Sequence, residues 1–174
     1  MSLMTLAKPD AGMAEQIRAY RQAFLDAGDS MDGTGSLRSL ADPADWLRER
    51  DQLADPATVP PGWVQSSQFV ALDPAGTLVG MIQVRHRFNP YLEAYGGHIG
   101  YSVHPAYRRR GYAKAMLAAV LPYCRELGLS RVLITCIKGN AGSKGAILAC
   151  GGVYESTVHE PTENEDLERY WITL

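Results

Sequence analysis

Residues 98–117 of this 174-residue chain read His98-Ile99-Gly100-Tyr101-Ser102-Val103-His104-Pro105-Ala106-Tyr107-Arg108-Arg109-Arg110-Gly111-Tyr112-Ala113-Lys114-Ala115-Met116-Leu117. The first six residues are mostly apolar and Pro105 follows soon after, which favours a short β-strand. From Arg108 onward, apolar residues recur at spacings of three and one, which places them on one face of a helix. They are Ala113, Met116, Leu117, Val120, Leu121, Cys124 and Leu127. The stretch therefore predicts a strand, a tight turn and an amphipathic helix in direct succession.

The turn before this helix has the properties of an anion site. A helix that starts directly after a turn leaves its first backbone N–H groups without partners, and its dipole favours a negative group there. Gly111 would let such a group approach the backbone closely. Arg108, Arg109, Arg110 and Lys114 place four positive charges in seven residues. Because these charges oppose the helix dipole, a phosphate-bearing ligand explains them better than a solvated helix start does.

The rest of the chain alternates between helical and extended patterns. Further helices are predicted from Pro9 onward, from Pro43 to Leu53 with Asp42 as the N-cap, and from Ala141 to Cys150. Strands are predicted at residues 3–6, 68–72, 78–87, 98–103, 131–137, 153–158 and 170–174. The order β-α-α-β-β-β-α-β-α-β-β indicates an α/β fold, with helices on the faces of a mixed sheet.

Residues 98–117 closely resemble the acetyl-CoA-binding motif of the GNAT N-acetyltransferases. The family signature, Gln/Arg-x-x-Gly-x-Gly/Ala, is met by Arg108, Gly111 and Ala113. A strand of the form Ile-Gly-Tyr-x-Val-x-Pro precedes it here and an amphipathic helix follows. The resemblance implies a GNAT-like fold, with a central twisted mixed β-sheet of about six to seven strands flanked by about four helices. It also implies a single acetyltransferase domain over residues 1–174.

The resemblance further implies where acetyl-CoA, the cosubstrate, would lie. The amides of residues 109–113 would hold its pyrophosphate, and its pantetheine arm would enter between the strands at 98–103 and 132–137. The implied cofactor-binding residues are Tyr101, Ser102, Val103, Arg108, Arg109, Arg110, Gly111, Tyr112, Ala113, Lys114, Thr135, Cys136, Asn140 and Ser143. Asn140 is open to two interpretations, a pantetheine contact or an N-cap of the helix that follows it.

The implied activity is that of an N-acetyltransferase, which moves an acetyl group to a primary amine by direct attack through a tetrahedral intermediate. An alkylamine has a pKa of about 10.4, so a base must remove its proton. The oxyanion needs a donor, which would be a backbone N–H near Tyr101 to Val103. The alternative from another class is a non-catalytic acyl-CoA-binding sensor or scaffold module.

The candidate catalytic residues depart from the family pattern. His98 stands where many similar proteins carry a glutamate, so it is a candidate base, and Glu93 is the second candidate. The alternative for His98 is a histidine that only packs within its strand. Proteins of this family often carry a tyrosine that acts as the general acid, seven residues after the asparagine that corresponds to Asn140. Here that position is Ile147. Either Tyr101, Tyr154 or Cys136 replaces it, or the amine proton passes directly to the thiolate.

Acidic loop residues suggest the acceptor. Asp29, Asp32 and Glu93 lie in loops expected to select the substrate, and one hypothesis is that they attract a small cationic amine. The alternative is that all three are solvated loop carboxylates. A formal net charge of −2 and a single basic cluster give no support for nucleic-acid binding.

Other features of the chain concern metals, membranes and compartment. Cys124, Cys136 and Cys150 lie in apolar stretches, without metal-site or disulfide spacing, so no metal is expected. No apolar run approaches about 18 residues and no secretory segment is visible, so a cytoplasmic location without membrane attachment is expected. A homodimer remains open.

Overall fold

The computed structural model describes residues 2–174. Within this range the chain forms seven strands and four α-helices, in the order that the sequence predicts. The elements are β1 (Thr5–Ala7), α1 (Ala14–Ala27), α2 (Pro43–Ala54), β2 (Ser66–Leu72), β3 (Leu78–Arg85), β4 (Ile99–Val103), α3 (Tyr112–Glu126), β5 (Arg131–Ile137), α4 (Ala141–Ala149), β6 (Val153–Glu160) and β7 (Glu165–Thr173). None of these helices is long and apolar enough to span a bilayer.

The strands form two antiparallel sections rather than one uninterrupted sheet. The first has the order β1-β2-β3-β4 and the second has the order β5-β7-β6. The sections are joined where His98, just before β4, donates its backbone N–H to the carbonyl of Leu133 in β5 (2.8 Å). Beyond this point β4 and β5 form no ladder with each other. On their other sides, β4 pairs with β3 and β5 pairs with β7. The α/β fold class is confirmed, with a division in the middle of the sheet.

Helices cover both faces of the sheet and bury two apolar clusters. On one face, Ile17, Tyr20 and Phe24 recur at helical spacing along α1 and pack with Trp46 of α2. On the other face, α3 contributes Met116, Leu117, Val120 and Cys124, all fully buried. The two layers leave open the space between β4 and β5.

Of the element boundaries that differ from the predicted ones, two have clear local reasons. Helix α3 begins at Tyr112 rather than at Arg108, because Arg109 and Gly111 have left-handed backbone angles (φ 63° and 86°). Strand β7 begins at Glu165 rather than at Tyr170. The Glu160 carboxylate accepts hydrogen bonds from the amides of Thr162 and Glu163, which closes a short turn and leaves the acidic stretch in β7.

Candidate functional site

A cleft of about 710 Å³ opens where β4 and β5 diverge. The two strands contribute Tyr101, Ser102, Val103, Thr135, Cys136 and Ile137 to its walls. The starts of α3 and α4, the loop after α1 and the β6–β7 turn complete its lining. Because β5 lines the cleft only with its last three residues, beyond the His98–Leu133 pair, the strands diverge toward their C-terminal ends.

The start of α3 provides a set of unpartnered backbone amides at the cleft. The first intrahelical hydrogen bond runs from Ala115 N–H to Gly111 O (3.0 Å), and no side chain of the described residues caps the helix. The N–H groups of Tyr112, Ala113 and Lys114 therefore have no partner within the helix. A Cβ added at Gly111 would meet only the Leu3 side chain, at 3.7 Å, so the approach to these amides is open. This arrangement fits a diphosphate.

The basic cluster divides into two parts. The Arg108 guanidinium pairs with the Asp29 carboxylate (2.7 Å) and lies over the ring of Phe24 (5.6 Å), so it faces the end of α1. Arg109, Arg110 and Lys114 are exposed around the start of α3. Arg108 therefore contacts the acidic loop after α1, and the other three cations of the cluster remain beside the start of α3.

Tyr101 and the start of α4 approach each other across the cleft. The Tyr101 hydroxyl lies 2.7 Å from Ser143 Oγ, and burial raises the pKa of Tyr101 to about 12. Asn140 Oδ1 accepts a hydrogen bond from Ser143 N–H (3.1 Å), which confirms the N-cap interpretation of Asn140. Asn140 also lines the cleft, so its contact with pantetheine stays a prediction. Burial raises the pKa of the neighbouring Cys136 thiol.

The backbone of β4 presents donors to the cleft. In an antiparallel pair, residues that exchange backbone hydrogen bonds with the partner strand alternate with residues that face away. Arg85 N–H donates to His98 O (2.7 Å) and His104 N–H donates to Val79 O (2.8 Å), so the even-numbered residues of β4 face β3. Tyr101 and Val103 therefore direct their backbone N–H groups toward β5, into the divided part of the sheet.

His98 and Glu93, the predicted bases, do not line the cleft. His98 is 5% exposed, and its Nδ1 accepts a hydrogen bond from Leu133 N–H (2.9 Å). Burial, with the nearby charges of Arg85 and Arg131, lowers the pKa of His98 to about 4. Glu93 has an exposed side chain, and its carbonyl accepts a hydrogen bond from Arg169. The structure does not support a proton-accepting role for either residue, because the acceptor nitrogen of His98 is occupied and Glu93 lies outside.

Five carboxylates also line the cleft, including both predicted aspartates: Asp29, Asp32, Glu160, Glu163 and Glu165. Asp29 is paired with Arg108, and hydrogen bonds from the turn amides hold the pKa of Glu160 below its usual range. Sequence reasoning missed the three glutamates. The sequence feature that marks these glutamates is the acidic stretch from the end of β6 to the start of β7.

Asp32 differs from the other carboxylates in its electrostatic surroundings. Its side chain is open to the cleft, yet the concave wall reduces its hydration and raises its pKa, against the smaller effects of Ser30 and Arg85. Ser30 Oγ donates a hydrogen bond to Asp32 Oδ2 (3.3 Å). Burial lowers the pKa of Arg85 to about 10, and its guanidinium donates to the carbonyl of Gly96 (3.0 Å). Asp32 is therefore a carboxylate with a strengthened affinity for a proton.

Comparisons with known proteins agree with this geometry. The model of the acetyltransferase (GNAT) family matches residues 35–151. No curated protein sequence matches the chain significantly. Among solved structures, the ribosomal-protein-S5-alanine acetyltransferase from Vibrio fischeri is similar, with a TM-score of 0.75 and 16% identity. The alignment covers 99% of this chain and 94% of that one.

Two further solved structures are similar over nearly the whole chain. The dodecameric spermidine N-acetyltransferase from Vibrio cholerae has a TM-score of 0.67 at 16% identity, covering 98% of this chain and 94% of that one. The protein yncA from Salmonella typhimurium, solved with its cofactor acetyl-CoA, has a TM-score of 0.64 at 17% identity, covering 99% of this chain and 95% of that one. At these identities the likeness shows a shared fold.

Proposed function

This chain belongs to the GNAT acetyltransferase family, and we propose that it transfers an acetyl group from acetyl-CoA to the primary amine of a small cationic molecule. The observation that carries the proposal is the polarity of one continuous cleft. Ala113, at the unpartnered amides that start α3, lines the same cleft as the carboxylates of Asp32, Glu163 and Glu165. An anionic donor and a cationic acceptor would thus meet in this cleft, where β4 and β5 diverge.

The donor would be held by the residues around α3, β4 and β5. The amides at the start of α3 would bind the diphosphate, with Arg109, Arg110 and Lys114 adding attraction. The divided strands would bind the pantetheine arm through the free backbone groups of Tyr101 and Val103 and through the Asn140 side chain. Bound acetyl-CoA supplies the thioester that is attacked.

Asp32 is the residue that we assign to the amine. Its carboxylate would pair with the ammonium form of the acceptor and accept the proton that must leave before nitrogen can attack. The second proton, lost from nitrogen as the tetrahedral intermediate collapses, would pass to the leaving thiolate and release CoA as a thiol. A raised pKa suits this role, since the carboxylate is a stronger base than an ordinary aspartate. Glu163 and Glu165 would bind a second positive charge, which favours a diamine or polyamine over a monoamine. The structures of similar fold include a spermidine N-acetyltransferase and a ribosomal-protein-S5-alanine acetyltransferase, so the choice of a polyamine rests on the carboxylates of this cleft.

Tyr101 would stabilise the leaving sulfur. With a pKa of about 12, its phenol stays protonated and can donate a hydrogen bond to a thiolate, which has a pKa of about 8.5. Full transfer of the phenolic proton would be uphill, so we assign it hydrogen-bond donation. The oxygen that gains charge would accept a hydrogen bond from a backbone N–H of β4.

The proposal is tested by measuring thiol release from acetyl-CoA across a panel of monoamines, diamines, polyamines and amino-terminal peptides. We expect release to rise with diamines or polyamines, and Asp32→Asn to lower kcat by about 100-fold, in the usual range for loss of a general base. The matched control is Asp26→Asn, an exposed aspartate on α1 that does not line the cleft. CoA binding without release for any amine would favour the sensor alternative and overturn the proposal.

A further inference from the structure

We propose that His98 is a positioning residue, whose imidazole fixes the point at which β4 and β5 separate and thereby the geometry of the acetyl-CoA cleft. The inference rests on the proposed function, because it assumes that acetyl-CoA binds between these strands. It assigns to His98 a role outside proton transfer.

The pairing of His98 with Leu133 uses one side chain to complete a backbone ladder. Leu133 O accepts the backbone N–H of His98 (2.8 Å), and Leu133 N–H donates to His98 Nδ1 (2.9 Å). Both backbone groups of Leu133 on this side of β5 are therefore satisfied by one residue. Next along β5, Thr135 lines the open cleft, so the ladder ends at this pair.

A carbonyl from β4 cannot take the place of the imidazole. The carbonyl of His98 already accepts Arg85 N–H from β3 (2.7 Å), so His98 directs its N–H to one neighbouring strand and its C=O to the other. The preceding residue, Gly97, has φ 69°, and a Cβ there would lie 2.6 Å from Leu133 O. The chain can approach β5 this closely only with glycine at position 97. Without the imidazole, Leu133 N–H would be a buried donor lacking a partner.

The imidazole is held firmly in its acceptor orientation. Its ring lies against the ring of Phe88, with centroids 4.1 Å apart, and the Trp171 ring lies at 6.5 Å. A pKa of about 4 keeps Nδ1 unprotonated in the physiological range, so its lone pair stays available to Leu133 N–H.

The His98–Leu133 pair lies close to the groups that would bind the cofactor. Tyr101 follows His98 by three residues along β4, and Thr135 and Cys136 follow Leu133 by two and three along β5. Since β4 and β5 form no ladder beyond the His98–Leu133 pair, the distance between their facing backbone groups depends on the position of this pair. A shift at His98 would move the backbone N–H of Tyr101 relative to Cys136 and would change the width of the cleft.

Two substitutions separate hydrogen bonding from packing. Asn places an amide oxygen on Cγ, in the position of Nδ1, whereas Gln fills more of the imidazole volume but places its oxygen one bond farther away. The test compares His98→Asn and His98→Gln with the wild type. Calorimetry gives the Kd for CoA, and NMR without CoA gives the exchange rate of the Leu133 amide. His159→Gln, on the exposed edge strand β6, is the control for the chemical change.

The expected result is that His98→Asn stays within about threefold of the wild type in both measurements, whereas His98→Gln binds CoA about tenfold more weakly and exchanges the Leu133 amide about tenfold faster. Affinity that follows side-chain volume, with Gln better than Asn, would overturn the positioning role. Equal affinity in both variants would also overturn it while leaving the proposed function intact. Failure of the wild type to bind CoA would instead overturn both.

Discussion

Tyr101 carries the sharpest residue-scale prediction. Tyr101→Phe removes the hydroxyl that lies 2.7 Å from Ser143 Oγ and keeps the ring. We expect kcat to fall by about 10- to 100-fold, with little change in the KM for acetyl-CoA, because the hydroxyl would act on charge that develops at sulfur during transfer. A phenol pKa of about 12 predicts that the ratio of wild-type to variant kcat is constant from pH 6 to 9.

The control for this change is another tyrosine. Tyr154→Phe removes an exposed hydroxyl that hydrogen-bonds Thr157 on β6, outside the cleft. We expect no kinetic effect. A large fall in kcat for Tyr154→Phe, or none for Tyr101→Phe, would contradict the assignment.

His98 makes stability depend on pH in a defined direction. Its pKa is near 6.5 in the unfolded chain and about 4 in the folded protein, so the unfolded state binds the proton more readily. Its contribution to the free energy of unfolding is complete above pH 6.5 and is lost as the pH falls from 6.5 to 4, by up to about 1.4 kcal/mol per pH unit. Urea unfolding of His98→Asn at pH 7, 5.5 and 4.5 should show a weaker decline than the wild type. Parallel curves would refute this.

At the scale of elements, the start of α3 is the feature to test. Gly111→Glu places a carboxylate beside the amides of Tyr112, Ala113 and Lys114, and repulsion should weaken CoA binding by at least about tenfold. Gly128→Glu is the matched control, because Gly128 ends the same helix with nearly the same angle (φ 88° against 86°) and has open space around its Cβ position. Calorimetry should show normal affinity for Gly128→Glu. Equal losses in both variants would mean that backbone strain causes the effect.

The elements also show why sequence reasoning reached one part of the cleft and not another. The anion site at the start of α3 is formed by contiguous residues, so the motif of Arg108, Gly111 and Ala113 predicts it directly. Likewise the Asp42-Pro43 pair marks the start of α2, where Asp42 accepts the amide of Ala44. The proposed acceptor site combines side chains from the loop after α1, from β3 and from the β6–β7 turn. Such long-range proximity has no local signature, so the sequence alone could not place the acidic residues Glu163 and Glu165 at the cleft or His98 outside it.

For the whole molecule, the division of the sheet predicts how a ligand affects stability. A ligand between β4 and β5 would connect two sections whose facing strands are joined by backbone hydrogen bonding at the His98–Leu133 pair. At a CoA concentration of 100 times Kd, linkage gives about 2.7 kcal/mol, so Tm should rise by about 5 to 10 °C. Hydrogen exchange should slow in both β4 and β5. Pantetheine, which lacks the diphosphate, should shift Tm far less at the same concentration. Protection confined to one section, or an equal shift with pantetheine, would contradict a ligand that spans the divided sheet with its diphosphate at the start of α3.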